Sequence, residues 1–312
     1  MRFYLPFITL IFFLNCSSEV SIKDINLKIK TSESYPGSST IIHNGIVREY
    51  YVYRPLNLNA TSNSPIMFNF HGGSGNIAGA IEMSDMRSLA DDNGFILVYP
   101  QGVGDPTDES KPAPVWTYKT DLATTAVDNL GFIKAIIVEL AAQFDIDQDR
   151  IYACGYSNGG EFSQELAIRL SSSIAAIASV SASMNNETYI QSLILPSHPL
   201  AVLTINGTED FYYQYNGTLP YFISLDKLNN YWVNHNQCNS MGKILQVENS
   251  NINDGSLVER HRWNNEIGDV YVEHLKVIGG GHDWPGSIGN MDINSNEEIW
   301  RFVSQYDVSG IR

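Results

Sequence analysis

The segment YACGYSNGGE, residues 152–161, decides how the rest of this 312-residue sequence is interpreted. It places one serine, Ser157, between Gly155 and Gly159, after an apolar run and before a segment with helical periodicity. A strand, a sharp turn around Gly-x-Ser-x-Gly and a helix together form a nucleophile elbow, which presents the serine hydroxyl at the end of a sheet. Glycines suit this turn because they have no side chain to collide where strand and helix meet. The segment therefore predicts a nucleophilic serine, and the alternative is an ordinary glycine-rich surface turn.

Segments typical of strands and of helices alternate on both sides of this turn. Short apolar runs bounded by turn residues predict strands at residues 46–53, 66–70, 95–99, 151–155, 201–205 and 270–277. Apolar residues spaced by three and four predict helices at residues 127–144 and directly after Ser157. A further helix is predicted to begin at Ser295, with the serine hydroxyl as its cap and Glu298 as the reciprocal partner. This alternation predicts an α/β fold with a mostly parallel sheet and helices on both faces.

A serine hydroxyl needs a general base, and His282 is the histidine best placed for that role. It lies in the glycine-rich segment GGGHDWPG, residues 279–286, after the last predicted strand. The acid that orients this base should follow an earlier strand, and the strand at 201–205 leads to Glu209 and Asp210. Both acids are candidates on this reasoning. With either one, the chain order is serine, acid, histidine, which is the order in α/β-hydrolases.

Backbone N–H groups are expected to bind the oxyanion that forms when a serine attacks a carbonyl. One candidate donor is Asn158, which directly follows the nucleophile. The other candidates are Gly73 and Ser74, in the glycine-rich loop after the strand at 66–70. The alternative for that loop is a plain hairpin turn.

Three aromatic side chains are candidate substrate contacts. Trp284 lies two residues after the predicted base, Tyr156 directly precedes the nucleophile, and Trp116 lies earlier in the chain. An indole ring is suited to stack on an aryl or sugar ring. The alternative for both tryptophans is packing in the core, where most Trp side chains are largely buried.

A set of motifs spread along the chain carries a family resemblance. In order they are YVYRP (51–55), FHGGSGN (70–76), YPQG (99–102), DNLGF (128–132), DRIY (149–152), GYSNGG (155–160), NGTED (206–210) and GGGHDWPG (279–286). Together they resemble the polyhydroxybutyrate depolymerase and feruloyl esterase family of α/β-hydrolases, which is related to carbohydrate esterase family one. The segment at 181–200, before the predicted strand at 201–205, is short and leaves little room for a lid domain, so a minimal lid is expected. The resemblance implies an α/β-hydrolase fold. It also implies a triad of Ser157, Asp210 and His282, which favours Asp210 over Glu209.

The resemblance also implies an activity, that of an exported serine esterase working without metal or cofactor. The expected substrates are feruloyl or acetyl esters on polysaccharide, or soluble hydroxyalkanoate oligomers. Two other functions fit the same sequence. One is a serine peptidase of the same fold, and the other is a non-catalytic, carbohydrate-binding lipoprotein at the cell surface.

The N-terminus predicts export. Arg2 precedes an apolar run at residues 3–14, which is too short to span a bilayer and is typical of a signal peptide. Cys16 follows that run and resembles the acylated cysteine of a bacterial lipoprotein, although simple secretion is an alternative. We therefore expect a signal peptide at 1–16 and a flexible tether at 17–37. A single catalytic domain is expected at 38–312, with membrane contact only through a lipid on Cys16.

Charge and cysteine content bound the remaining possibilities. The sequence has 34 acidic and 19 basic residues, a formal net charge of −15, which argues against nucleic acid as a partner. The other two cysteines, Cys154 and Cys238, lack the spacing of metal ligands, so no structural zinc is expected. Cys154 is expected to be a small buried apolar residue, and the sequence leaves open whether either cysteine forms a disulfide.

Overall fold

The structure is a computed structural model, and it describes residues 34–58, 63–104, 113–116, 127–194, 198–265 and 270–312. The predicted signal peptide, Cys16 and the predicted tether up to residue 33 lie outside these residues. At the end of the predicted tether, the backbone N–H of Tyr35 donates to Glu49 Oε1 at 2.7 Å. The Tyr35 ring also packs edge-on against Tyr51, with ring centroids 4.9 Å apart.

Twelve strands are present in the described residues. They are β1 Ser39–His43, β2 Ile46–Tyr53, β3 Ser64–Phe70, β4 Ile96–Pro100, β5 Ile146–Tyr156, β6 Ala176–Val180, β7 Ala201–Gly207, β8 Lys243–Gln246, β9 Leu257–Asn264, β10 Tyr271–Ile278, β11 Tyr306–Asp307 and β12 Gly310–Ile311. Ten of them form one sheet in the order β1-β2-β4-β3-β5-β6-β7-β10-β9-β8. The six central strands, β4 to β10 in that order, are parallel, and antiparallel strands flank them at both edges.

The described helices cover both faces of this sheet. They are α1 Ile77–Met83, α2 Arg87–Asn93, α3 Asn129–Gln143, α4 Asn158–Arg169, α5 Asn186–Ser192, α6 Leu225–His235 and α7 Ser295–Val303. Buried residues of α3, α4 and α6 belong to one apolar cluster, and those of α1, α2 and α7 belong to a second. The predicted α/β fold with helices on both faces is therefore confirmed.

Strand β3 shows why the central strands are apolar throughout. Ile66 and Phe68 belong to the first apolar cluster, whereas Met67 between them belongs to the second. Successive side chains of a strand point to opposite faces, so a strand covered on both faces must be apolar at nearly every position. All seven residues of β3 are buried.

The last helix is capped differently from the prediction. Its N-cap is Asn294, whose side chain accepts hydrogen bonds from the N–H groups of Asn296 and Glu297. The Ser295 hydroxyl is buried and has no hydrogen-bond partner among the described residues, so the predicted Ser295 cap is wrong. Glu298 does not reach back to the cap either, because its carboxylate is engaged by Arg260 and Arg301.

The connection between β6 and β7 tests the prediction of a minimal lid. Within its described residues, 181–194 and 198–200, the only regular element is the seven-residue helix α5.

Across the described chain, no helix is both long enough and apolar enough to cross a bilayer.

Candidate active site

Ser157 lies at the sharp turn between β5 and α4, where the sequence predicted a nucleophile elbow. Its backbone has φ 54° and ψ −122°, a conformation that residues with a Cβ rarely adopt. A Cβ on Gly155 would lie 2.4 Å from the carbonyl carbon of Gly159, and a Cβ on Gly159 would lie 2.3 Å from the Phe70 carbonyl oxygen. Only glycine fits at these two positions, because the backbones of β5, β3 and α4 meet there.

His282 lies on the loop after β10 and bridges the serine to an acid. Its Nε2 atom is 3.0 Å from Ser157 Oγ, and its Nδ1 atom is 2.7 Å from Asp210 Oδ2. Because an ionised carboxylate can only accept, Nδ1 carries the proton in this arrangement. Nε2 is then the lone-pair nitrogen, and it faces the serine hydroxyl as a general base must.

Asp210 is the acid that the fold brings to the imidazole. Its side chain is fully buried, and its Oδ1 accepts hydrogen bonds from the N–H groups of Tyr212 at 2.8 Å and Tyr213 at 2.9 Å. Glu209 is exposed, and only its backbone N–H takes part, donating to Gly280 O on the histidine loop. Of the two acids left open by the strand pattern, Asp210 is the one in contact with His282.

The two loops that carry the acid and the base are packed directly together. A Cβ on Gly207 at the end of β7 would lie 2.1 Å from Gly280 O, so glycine is required where the loops cross. The Tyr156 hydroxyl donates to the His282 carbonyl oxygen at 2.6 Å and fixes the loop from the other side. Tyr156 was predicted to contact substrate, and in the structure this half-buried residue supports the base.

A buried histidine holds the glycine-rich loop after β3. His71 Nδ1 lies 2.6 Å from Gly72 O, and His71 Nε2 accepts from the N–H of Gly102 at 2.9 Å. Burial lowers the pKa of His71 to about 4, with Arg48 adding to that effect and the hydrogen bond to Gly72 opposing it. The ring is therefore neutral near pH 7, with its proton on Nδ1, and it braces the loop.

The same loop narrows the choice of oxyanion donors. The N–H of Ser74 donates to Pro114 O at 2.7 Å, so this predicted donor is already used within the protein. The N–H groups of Gly73 and Asn158 donate to no group in the described residues. A Cβ on Gly73 would be 3.7 Å from Asn158 Cβ, which brings these two backbone segments side by side.

Both predicted tryptophan contacts are buried. Trp116 is 0% exposed, and its Nε1 donates to His71 O at 2.9 Å. Trp284 is 1% exposed, and its Nε1 donates to Asn296 Oδ1 at 3.1 Å. Neither ring presents a face to a substrate, so the structure favours the packing alternative and corrects the predicted stacking role.

Trp116 nevertheless acts on the site through Asn158. The Trp116 backbone N–H donates to Asn158 Oδ1 at 2.7 Å, which ties the Trp116 main chain to the first residue of α4. The ring also stacks on Phe162 of the same helix, with ring centroids 5.2 Å apart. Trp116 therefore helps to hold the glycine-rich loop against the elbow.

Several residues around the base were not predicted from the sequence. The Tyr213 ring lies nearly parallel to His282, with centroids 5.8 Å apart, and its hydroxyl donates to the buried Glu161 Oε2 at 3.1 Å. Burial, with the charge of Glu161 adding to it, raises the pKa of Tyr213 well above its usual range. The aromatic run Phe211-Tyr212-Tyr213, directly after the acid, was the available sequence signal.

The two internal cysteines and the possible metal ligands are readily placed. Cys154 is fully buried in β5, as predicted, and burial raises the pKa of its thiol. Cys238 is partly buried, with its Sγ 3.9 Å from Val270 O. Within the described ranges, no three His, Cys, Asp or Glu side chains are grouped so that they could hold a metal ion.

Part of this chain matches a known family of esterases. Residues 48–194 match the family model Esterase PHB depolymerase. The matched range contains Ser157 and both oxyanion segments, whereas Asp210 and His282 lie beyond it.

Two curated relatives cover most of this chain. A bifunctional acetylxylan esterase/xylanase of Neocallimastix patriciarum is 26% identical over 85% of this chain and 34% of its own length. Feruloyl esterase B of Piromyces equi is 24% identical over 84% of this chain and 46% of its own length. This chain therefore spans only a third to a half of these relatives.

A solved structure supports the fold. The acetyl xylan esterase from Aspergillus awamori superposes with a TM-score of 0.61 at 14% identity, over 86% of this chain and 98% of that one. At that identity the likeness speaks for the fold alone. The predicted resemblance is confirmed to this extent: residues 48–194 match the Esterase PHB depolymerase family model, and the fold is that of an α/β-hydrolase.

Proposed function

We propose that this protein is a serine esterase that hydrolyses carboxylic esters through an acyl-enzyme. The observation that carries the proposal is the continuous hydrogen-bonded chain from Ser157 Oγ through His282 to Asp210 Oδ2. A serine hydroxyl is a weak nucleophile by itself, and this chain supplies the base and the group that orients it. The names of the relatives, acetylxylan and feruloyl esterases, support the same reaction class.

The reaction begins when Ser157 Oγ attacks the ester carbonyl carbon and gives its proton to His282 Nε2. The buried Asp210 carboxylate stabilises the resulting imidazolium through Nδ1–H. The carbonyl oxygen becomes an oxyanion and accepts hydrogen bonds from the N–H groups of Gly73 and Asn158. Each such donor contributes about 3 kcal/mol to transition-state stabilisation.

The tetrahedral intermediate then collapses, and its C–O bond to the alcohol breaks. His282 returns the proton to the leaving alkoxide oxygen, so the alcohol departs neutral and the acyl group stays on Ser157. Water repeats the sequence: His282 takes its proton, the hydroxide attacks the acyl carbon, and Ser157 regains its proton as the acid leaves. Apart from water, these steps use side-chain and backbone groups of this chain.

The substrate class we propose is that of feruloyl or acetyl esters on polysaccharide, with soluble hydroxyalkanoate oligomers as the second candidate. We also propose that the protein is exported, with Cys16 acylated after removal of the segment before it. Mass spectrometry of the mature protein from cells that make it would reveal a lipidated N-terminal Cys16, and a mature N-terminus elsewhere would contradict the acylation.

A labelling experiment tests the proposed chemistry. The wild type is expected to react with a fluorophosphonate probe, and Ser157→Ala is expected to abolish the labelling. Ser250→Ala is a matched control, because Ser250 is exposed and contacts none of the three residues, so labelling should persist. If the folded wild type is not labelled, the result would favour the alternative of a non-catalytic, carbohydrate-binding lipoprotein. Faster cleavage of amino-acid p-nitroanilides than of esters would favour the peptidase.

A further inference from the structure

Two aromatic side chains next to the acid point into solvent. Phe211 is 68% exposed and Tyr212 is 60% exposed, whereas Tyr213 beside them is only 7% exposed. A single exposed apolar side chain needs no explanation, since much of any protein surface is apolar. Two adjacent large rings at a candidate active site are a different case, because exposed apolar surface that is grouped there often contacts a ligand.

The two rings form one surface that borders the catalytic imidazole. Their centroids are 4.1 Å apart, with an angle of 35° between the planes. The Tyr212 ring centroid is 4.9 Å from that of His282, and the Phe211 centroid is 6.5 Å from it. A group held at His282 would therefore meet these rings.

These side chains are not needed to hold the acid. Asp210 Oδ1 is bound by the backbone N–H groups of Tyr212 and Tyr213, which any residue except proline supplies. The Phe211 side chain has no hydrogen-bonding group, and the exposed Tyr212 hydroxyl forms no hydrogen bond with another described residue. The loop would keep its hydrogen bonds with other side chains at 211 and 212, so the rings call for a separate explanation.

The chemistry of the base indicates which part of the substrate lies here. His282 Nε2 must protonate the leaving oxygen, so that oxygen must come within about 3 Å of it. The acyl oxygen is directed away from the imidazole, toward the N–H groups of Gly73 and Asn158. The rings beside His282 therefore border the alcohol part of the ester.

We propose that Phe211 and Tyr212 are specificity-determining residues that bind a sugar ring on the alcohol side of the ester. A sugar ring has a face of C–H groups, which suits the electron-rich face of an aromatic ring, and hydroxyls at its edge, which stay in water. An exposed pair of rings offers an aromatic face to the C–H groups and leaves the sugar hydroxyls in water. This inference rests on the proposed esterase function and adds to it the residues that recognise the alcohol.

The test compares esters that share an acyl group and differ in the alcohol. Methyl ferulate is paired with a feruloylated arabinoxylo-oligosaccharide, and ethyl acetate with an acetylated xylo-oligosaccharide. In Phe211→Ala/Tyr212→Ala the ratio of kcat/KM, sugar ester over simple ester, is expected to fall about tenfold, mainly through KM. Tyr212→Phe keeps the ring and should keep the wild-type ratio.

The control variant is Ile42→Ala, which removes a side chain that is 72% exposed on β1, at the far edge of the sheet. It is expected to leave all four rates unchanged. Thermal unfolding of each variant checks that it is folded, and the two single alanine variants replace the double variant should it fail to fold.

Two results would overturn the inference while the esterase function stood. One is an unchanged kcat/KM on all four esters in the alanine variants. The other is an equal loss on methyl ferulate and on its sugar ester, which would place the acyl group against the rings. A wild type that cleaves none of the four esters and takes no fluorophosphonate label would remove the proposed function and the inference with it.

Discussion

The nucleophile loop and the acid loop hold their reactive groups by different physical means. Ser157 is positioned by backbone sterics: its φ is 54°, and glycines on either side let three backbone segments meet. Asp210 is positioned by hydrogen bonds from the following backbone N–H groups and from His282, in a loop whose next two side chains face solvent.

This difference separates two tasks within one site. Around Ser157 almost every atom is fixed by a neighbour, so substitutions there should cost folding as well as chemistry. Around Asp210 the backbone carries the structural task, and the exposed side chains are available to select substrates. We therefore propose that the nucleophile loop defines the reaction and that specificity can vary in the acid loop with little loss of stability.

The largest expected effect is on the acid itself. Asp210→Asn should keep the hydrogen bonds from the following N–H groups but remove the charge that orients and stabilises the His282 cation. We expect kcat for ester hydrolysis to fall by about 10³- to 10⁴-fold, as measured by steady-state kinetics. Glu209→Gln is the matched control and should change kcat less than about twofold. A larger loss in Glu209→Gln would assign the acid to Glu209 instead.

The next largest effect is on the free energy of unfolding, which we expect to be more sensitive to substitution in the nucleophile loop than in the acid loop. In Gly159→Ala, the new Cβ would lie 2.3 Å from the Phe70 carbonyl oxygen, where only backbone could give way. We expect the free energy of unfolding in urea to fall by about 3 kcal/mol or more.

Gly79→Ala is the matched glycine control for that measurement. Gly79 lies in α1, and a Cβ there would meet its nearest atom, Asn76 Oδ1, at an ordinary 3.5 Å. Alanine is the better helix former, so this variant should gain about 0.5 to 1 kcal/mol. Equal effects in the two variants would contradict the steric account of the elbow.

The smallest expected effect concerns two buried neutral histidines, one below the acid loop and one in the glycine-rich loop after β3. His274 lies under the acid loop, with its ring nitrogens 2.8 Å from Thr204 Oγ1 and 2.8 Å from the Tyr215 hydroxyl. Burial, with smaller effects of His261 and Lys276, lowers the pKa of His274 to about 3. The corresponding residue on the other side is His71, whose pKa is lowered to about 4.

The sign of the pH dependence follows from these lowered pKa values. Between about pH 4 and 6.5 each of these histidines binds a proton when unfolded but not when folded, so stability is lost as the pH falls. Each contributes about 1.4 kcal/mol per pH unit to that slope. In His274→Gln, the free energy of unfolding measured from pH 6.5 to 4.5 should fall less steeply by that amount. A slope equal to that of the wild type would mean that His274 is protonated in the folded state.

Much of the fold was predictable because its signals are local. The strand at 46–53 was predicted with the bounds it has, and the predicted helix at 127–144 is α3, Asn129–Gln143. Strands β8 and β9 were not predicted, since β8 is exposed at all four positions and β9 buries only one of its eight residues. The Ser295 cap failed because the helix begins one residue earlier than predicted, with Asn294 as the residue that accepts from the N–H groups of Asn296 and Glu297.

The site was predicted less evenly. The spacing of glycines indicated Ser157 and the loop of His282, because positions where backbone segments meet closely require glycine. The roles of the tryptophans were not predicted correctly, since a large aromatic ring can equally line a pocket or fill a core, and burial decides which. Phe211 and Tyr212 directly follow the acid in the sequence, but only the fold shows that their side chains are exposed next to His282.

By itself the sequence determined the alternation of strands and helices, the strained serine turn and the order of serine, acid and histidine, because these depend on residues close together in the chain. Only the tertiary structure decided that Asp210 and not Glu209 reaches His282, that Ser74 gives its N–H to Pro114, and that Trp116 and Trp284 are buried. Those outcomes depend on contacts between segments 40 to 130 residues apart, and the distance between such segments is fixed only when strands from the whole chain pair into one sheet.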